Sequence, residues 1–277
     1  MRFSVVIPLY RAHQTLLRAL NSVFSQTLPV HEIILVADDA ADYSNYITDV
    51  RVRLLSTGRV GAGAGHARNT GIAAATGDAI ALLDADDAFH PTRLEALAPL
   101  IDKYGAAFSG ARYIDEATGS ELPNINLTFD EDCLPPLALA LSGMHTHVHV
   151  AFDRARCPAR YDVCYAAEDF TFMMKLYDFI DTVGYTKAPL YDYYRSAQSF
   201  CNQLGSTEKF LEAIDDLLDP QSDAYAVVSQ YKAFVPLRLY FNCMRTAEIA
   251  VIANPELSFQ EVMQACAHET LLPLIKV

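Results

Sequence analysis

GAGAGHARNTGIAAATGDAIALLDADD, residues Gly61 to Asp87, is the stretch that decides the fold of this chain. It reads as a Gly-rich turn, a helix of small residues near Ala67 to Ala75, a Thr76-Gly77-Asp78 stop, a strand over Ala79 to Leu83, and an acidic cluster. The strand has no polar position, as a sheet covered on both faces requires. Asp84, Asp86 and Asp87 follow at its carboxyl end, where open α/β sheets place their ligands. Three carboxylates this close repel one another unless a positive charge joins them. Mg²⁺ or Mn²⁺ meets that need, because it takes one or two carboxylates together with substrate phosphate oxygens. The competing reading is a solvated turn that caps the next helix.

On the amino-terminal side, Phe3 to Leu9 is a β-rich run, and Gln14 to Ser25 places Leu16, Leu17, Leu20, Val23 and Phe24 at helical spacing. Glu32 to Ala37 is a second buried strand ending in Asp38 and Asp39, and Arg51 to Leu55 a short third. Strands alternating with helices through short connections predict a doubly wound, mostly parallel sheet with helices on both faces. Asp38 and the cluster from Asp84 to Asp87 then face one crevice. The run Gly61-Ala-Gly63-Ala-Gly65 superficially suggests a dinucleotide fingerprint, but its spacing is wrong and it does not join the first strand to the first helix.

At 277 residues and 52% hydrophobic content, the chain can bury a sizeable core. A net charge of -13 argues against nucleic acid as a partner and against electrostatic docking on anionic lipid. The six cysteines include no Cys-x-x-Cys pair, so neither a zinc site nor a redox motif is signalled. MRFSVVIPLY is too short an apolar run for a signal peptide, and no stretch approaches the roughly 18 apolar residues of a membrane span. A cytoplasmic protein without a transmembrane segment is expected, with peripheral membrane contact left open to a partner or an interfacial helix.

Further motifs lie beyond residue 100. His145, His147 and His149 alternate, so on a strand they share one face: a zinc site, a place for His147 in the active site, or a partly polar strand face. Glu116 to Leu141, with Pro123, Pro135 and Pro136, suggests an irregular segment. Phe210, Leu211, Ile214, Leu217 and Leu218 mark an amphipathic helix stopped by Asp219-Pro220. Tyr231 to Ala253 suggests another that is interrupted or begun near Pro236, and Ser258 to Glu261 is a capping box for a third. These helices are expected to pack on the preceding domain or on a second copy of the chain.

The run SVVIPLYRAHQTLLRALNSVFSQTLPVHEIILVADD, followed by GHARNTGIAAATGDAIALLDADDAFHPTRLEAL, resembles family 2 glycosyltransferases of the GT-A fold. Glu168-Asp169 resembles the family's later Glu-Asp motif, and the segment from Leu190 to Arg195 its "YR" segment. The resemblance implies a GT-A domain over residues 1–204, with a nucleotide-sugar-binding half at 1–115 and an acceptor-side half at 116–204, before a helical extension at 205–277. It implies a nucleoside diphosphate sugar as donor, most simply a UDP-sugar, a divalent metal, and a glycan or lipid-linked sugar as acceptor. Asp38 would contact the uracil, Pro8 and Tyr10 would line the nucleoside pocket, and Arg68 would lie near the nucleotide. Asp84 and Asp86 form the Asp-x-Asp for metal and ribose-diphosphate, with Asp87 as the neighbouring acid. Asp169 would be the catalytic base of an inverting displacement, with Glu168 orienting the base or the acceptor.

There are departures. Ala37 replaces the first Asp of the family's "VDD", and Ala197 stands where the family often has a metal-site histidine, leaving Gln198 or another histidine as substitutes. The chain has no tryptophan, so the Gln-x-x-Arg-Trp motif of processive synthases is absent. Two rivals follow: a non-catalytic nucleotide-sugar-binding subunit, and a nucleotidyltransferase, for which Pro8-Leu-Tyr-Arg11 supplies no triphosphate loop. A dehydrogenase is a more distant third.

Overall fold

The structure is a computed structural model that describes residues 1–123, 128–142, 150–162, 168–196, 206–254, 256–257 and 259–275. His145, His147, His149, Ala197, Gln198 and Ser258 lie outside the described residues, as do the side chains of Phe210 and Phe259. Among the described residues, ten strands form one sheet. Its amino-terminal part is β1 (Phe3–Leu9), β2 (Glu32–Ala37), β3 (Val52–Ser56) and β4 (Ala79–Leu82), ordered β3-β2-β1-β4 and parallel throughout. All four carboxyl ends therefore lie on one edge. The sheet continues through β9 (Ala151–Asp153), β6 (Ala106–Asp115), β10 (Val183–Arg195) and β5 (Ala88–Phe89). β9 runs antiparallel to both β4 and β6, and β10 runs parallel to β6. The ends of β6 and β10 thus return to the same edge as Asp38 and Asp84. β5 pairs antiparallel with β10, while β7 (Glu121–Leu122) and β8 (Cys133–Leu134) pair antiparallel with β6 and β10. The long pairings are parallel and the short ones antiparallel.

The period of two in the central strands explains the two-sided core. Phe3, Val5, Ile7 and Leu9, with Ile33, Leu35, Ala79 and Ala81, face one way and pack with α1 (Leu16–Phe24) and α3 (Arg93–Tyr104). Val6, Ile34, Val36, Ile80 and Leu82 face the other way, toward α2 (Ala64–Ala74) and α5 (Glu168–Phe179). That second core is continuous with α4 (Pro136–Ser142), α6 (Ser206–Leu218), α7 (Asp223–Val228), α8 (Phe234–Ala253) and α9 (Phe259–Cys266), which bury Leu139, Leu217, Val228, Phe241, Met244 and Met263 in it. The carboxy-terminal helices therefore share the core of the sheet. Among the described residues, no helix is long and apolar enough to cross a membrane.

One boundary differs from the sequence expectation, and one is settled between the two alternatives it left. α2 starts at Ala64, inside the Gly-rich run, because the turn is completed by Gly61 and Gly63 at φ 70° and 100°, a region that disfavours side chains. Pro236 is the third residue of α8, in the first turn, where its missing N–H breaks no helical bond.

Candidate active site

One side of the crevice forms where β1 and β2 end. Asp38 is 4% exposed, and its carboxylate accepts from Thr57 Oγ1 at 2.8 Å, Ala62 N at 2.9 Å and Gly63 N at 2.8 Å. The structure thus places Asp38 as the anchor of the Gly-rich loop. Asp39 anchors the other wall, accepting from Arg11 N at 2.6 Å and from the Tyr43 hydroxyl at 3.1 Å, while Tyr43 accepts from Ala12 N at 3.0 Å. Pro8 is half-buried, whereas Tyr10 is 50% exposed and open at the rim.

At the end of β4, the chain turns on a 3.1 Å bond from Asp87 N to Asp84 O. One carboxylate oxygen from each of Asp84, Asp86 and Asp87 lies within 4.8 Å of the others. Their environments differ. Asp87 is buried, accepting from the Tyr191 hydroxyl at 2.7 Å and from Tyr194 N at 2.9 Å. Burial first, then the charges of Asp86 and Asp84, hold its carboxyl well above the usual range. Asp86 is exposed at its surface, yet desolvation in the crevice and the neighbouring Asp84 push its carboxyl up to about 6. No other residue among those described donates a hydrogen bond to its carboxylate. A set of hard oxygen donors carrying a net repulsion is the chemistry that Mg²⁺ or Mn²⁺ fits, and Asp84 and Asp86 have the oxygens to offer it.

Arg68 joins this cluster to α5. It is 4% exposed, donates to Asp84 Oδ1 at 2.7 Å and to Glu168 Oε1 at 3.4 Å, and lies over the Tyr161 ring at 5.3 Å. Burial alone would lower its pKa, but Asp84 and Glu168 outweigh that and hold it above its ordinary value. The guanidinium is therefore committed to two carboxylates. α2 approaches α5 closely at Gly65, where a Cβ would meet Glu168 Oε2 at 2.5 Å. Asp169 follows in the first turn of α5, half-buried, and Phe170 packs edge-to-face on Phe241 of α8 with centroids 5.1 Å apart. The carboxy-terminal helices thus back the Glu-Asp turn.

The structure brings Asp84, Asp86, Asp87, Arg68 and Glu168 together and sets Asp38, Pro8 and Tyr10 on the same edge. It also reveals residues that the sequence reading passed over. Tyr191 and Tyr194 reach Asp87 from β10, which the resemblance marked only as a "YR" segment. Arg93 is buried between the Phe89 and Tyr191 rings at 5.0 and 5.2 Å, donates to the Ser109 hydroxyl, and is lowered to about 9 by burial. Arg18 of α1 donates to Glu116 and to the Asp86 carbonyl. Both arginines lie inside the runs quoted for the resemblance but receive no role there, because an arginine on an amphipathic helix reads as its solvated face.

Set against solved structures, this arrangement is the GT-A fold. It is similar to Staphylococcus aureus TarS, with a TM-score of 0.64 at 19% identity over 93% of this chain and 75% of that one. The crystal structure of TarS in complex with UDP-GlcNAc matches with a TM-score of 0.64 at 18% identity, over 88% of this chain and 72% of that one. At this identity the likeness is one of fold. Residues 4–155 match the profile of Glycosyl transferase family 2, and the chain belongs to that family. Relatives include the succinoglycan biosynthesis protein ExoO of Rhizobium meliloti, 34% identical over 44% of this chain and 39% of ExoO. Another is the UDP-Glc:alpha-D-GlcNAc-diphosphoundecaprenol beta-1,3-glucosyltransferase WfgD of Escherichia coli, 32% identical over 40% of this chain and 45% of WfgD. The matched segments thus span under half the length of these two relatives.

Proposed function

We propose that this protein transfers a sugar from a UDP-sugar to a glycan or lipid-linked acceptor in surface polysaccharide synthesis, by direct displacement with inversion. The observation that carries the reading is the Asp84-Asp86-Asp87 cluster at the carboxyl end of β4, linked through Arg68 to the Glu168-Asp169 turn. Asp169 takes the proton of the acceptor hydroxyl, whose oxygen attacks the anomeric carbon. The bond from that carbon to the diphosphate breaks, and its electron pair leaves with the phosphate oxygen. Glu168 orients the acceptor or the base, and Arg68 holds Glu168 and Asp84 at a constant spacing. Asp38 secures the loop that walls the nucleoside pocket, with Pro8 and Tyr10 opposite. A divalent cation held by Asp84 and Asp86 would supply positive charge for the departing diphosphate. The relatives' names, a polysaccharide biosynthesis protein and a UDP-sugar transferase with a lipid-linked acceptor, favour this substrate class.

The test is calorimetric titration of UDP and UDP-sugars with and without Mn²⁺. UDP binding that Mn²⁺ strengthens and Asp86→Ala abolishes is the expected result; a folded protein that binds no nucleotide sinks the reading. Asp169→Asn is expected to keep donor binding and lose transfer by at least about 100-fold, the scale of a general base. Nucleotide-sugar binding without turnover across a broad acceptor panel would instead favour a non-catalytic subunit.

A further inference from the structure

Arg18 projects from α1, an element that otherwise contributes apolar packing with Leu16, Ala19, Leu20 and Val23. Its Nη1 and Nη2 donate to the two oxygens of Glu116 at 2.8 and 2.9 Å, and Nη2 also donates to the main-chain carbonyl of Asp86. The guanidinium carbon lies 3.6 Å from the centroid of the Tyr194 ring. Each of these partners belongs to the acidic loop or to its support. Tyr194 N holds Asp87, and Glu116 N donates to the Arg195 carbonyl at 3.0 Å, tying the end of β6 to the end of β10. One guanidinium therefore joins α1, the turn after β4, β6 and β10.

The three acids consequently have three separate supports. Arg68 grips the Asp84 carboxylate from α2, and Tyr191 and Tyr194 grip that of Asp87 from β10. Among the described residues, Asp86 is gripped through its backbone, by Arg18, and its carboxylate stays exposed beside those of Asp84 and Asp87. Arg18 also keeps its Nε enclosed without a hydrogen-bond partner among the described residues, an arrangement that costs stability. Stability alone does not account for the choice of residue. A planar fork that spans a carboxylate and a carbonyl while covering an aromatic face is a task for arginine, and lysine lacks the geometry.

We propose that Arg18, with Glu116, is a positioning residue that sets the direction of Asp86, so that Asp84 and Asp86 present their carboxylates to one divalent cation. This rests on the donor-site reading above. The experiment is titration of UDP with and without Mn²⁺ into wild type, Arg18→Lys, Glu116→Gln and the double variant, with thermal unfolding of each. The wild type is expected to bind UDP more tightly with Mn²⁺. Arg18→Lys and Glu116→Gln should bind UDP as the wild type does without metal and lose the Mn²⁺-dependent gain by about tenfold or more, the usual consequence of removing a group that orients a ligand. The double variant should lose no more than either single one, since the two act as a unit. A Mn²⁺-dependent gain that survives in Arg18→Lys overturns the inference, whatever its unfolding temperature does. So does an equal loss with and without Mn²⁺, which would make Arg18 a direct nucleotide contact. A wild type without Mn²⁺-strengthened UDP binding overturns the donor-site reading itself, before any variant is compared.

Discussion

Asp86 and Asp87 are adjacent in sequence and have opposite surroundings. Asp87 accepts two hydrogen bonds inside the protein, whereas Asp86 faces the crevice. Asp87→Ala is therefore expected to destabilise the fold by about 1–3 kcal/mol for each donor left unpaired, and Asp87→Asn, which still accepts, by less. Asp86→Ala removes a carboxylate that its neighbours repel, and is expected to leave stability at neutral pH unchanged or raised. Urea unfolding of the three variants checks this. The Asp-x-Asp-Asp pattern is legible in sequence, but the role of each acid is not. A tight turn aims its side chains according to what surrounds it, and Tyr191 lies 104 residues away from Asp87.

At the scale of elements, Glu32 at the start of β2 ties three pieces together. It accepts from Ser4 Oγ of β1 at 2.7 Å, from Thr76 N and Oγ1 at 2.6 and 2.7 Å in the turn before β4, and from Arg53 of β3 at 2.6 Å. Burial would raise its pKa, and these four donors outweigh that, holding the carboxyl at about 2 against an ordinary 4.5. A depressed pKa contributes stability that is present above pH 4.5 and is lost as pH falls toward 2. Glu32→Gln is expected to flatten the acid limb of an unfolding profile and to lower stability at neutral pH. A variant whose profile parallels the wild type between those limits would overturn the assignment. Helix α2 meets β1 at Gly71, where a Cβ would lie 2.3 Å from Val6 Cγ1 and 3.2 Å from Val36 Cγ2. Gly71→Ala is expected to cost about 1–3 kcal/mol through overpacking, and Val6→Ala in the same chain to recover part of it. Chemical denaturation of the single and double variants measures both. The helix was visible in the small-residue run, but the demand for glycine at this position arises from the strand beneath it.

Over the whole molecule, the carboxy-terminal helices complete the second core. Leu217, Phe241, Met244 and Met263 are buried in the same cluster as Val6, Ile80 and Phe172. Removal of residues 205–277 is accordingly expected to leave a chain that retains secondary structure but loses fixed packing. Loss of the near-UV circular dichroism signal together with dye binding to exposed apolar surface would register this, and a cooperative unfolding transition in the shortened chain would refute it. The amphipathic spacing of these segments announced helices with a face to bury. It left open whether that face meets the sheet or a second copy of the chain, because an apolar stripe does not specify its partner.

Local physics made the first hundred residues readable. Strands buried on both faces read as near-continuous apolar runs, small residues mark a helix laid close on a sheet, and the acids of a ligand edge stand directly after their strands. The Gly61 to Asp87 stretch, the mostly parallel sheet and the family are thus present in the sequence. Only the tertiary structure decided that Asp38 anchors a loop, that Arg68 pairs Asp84 with Glu168, that Asp87 is buried while Asp86 is not, and that Arg18 grips the loop. The reason is separation along the chain. Arg68 and Glu168 are 100 residues apart, and Arg18 and Glu116 are 98 apart. Arg18 and Glu116 meet because the sheet returns the end of β6 to the edge where β1, β2 and β4 end, and Arg68 and Glu168 because α2 and α5 pack on the same face of that sheet; no local pattern encodes either.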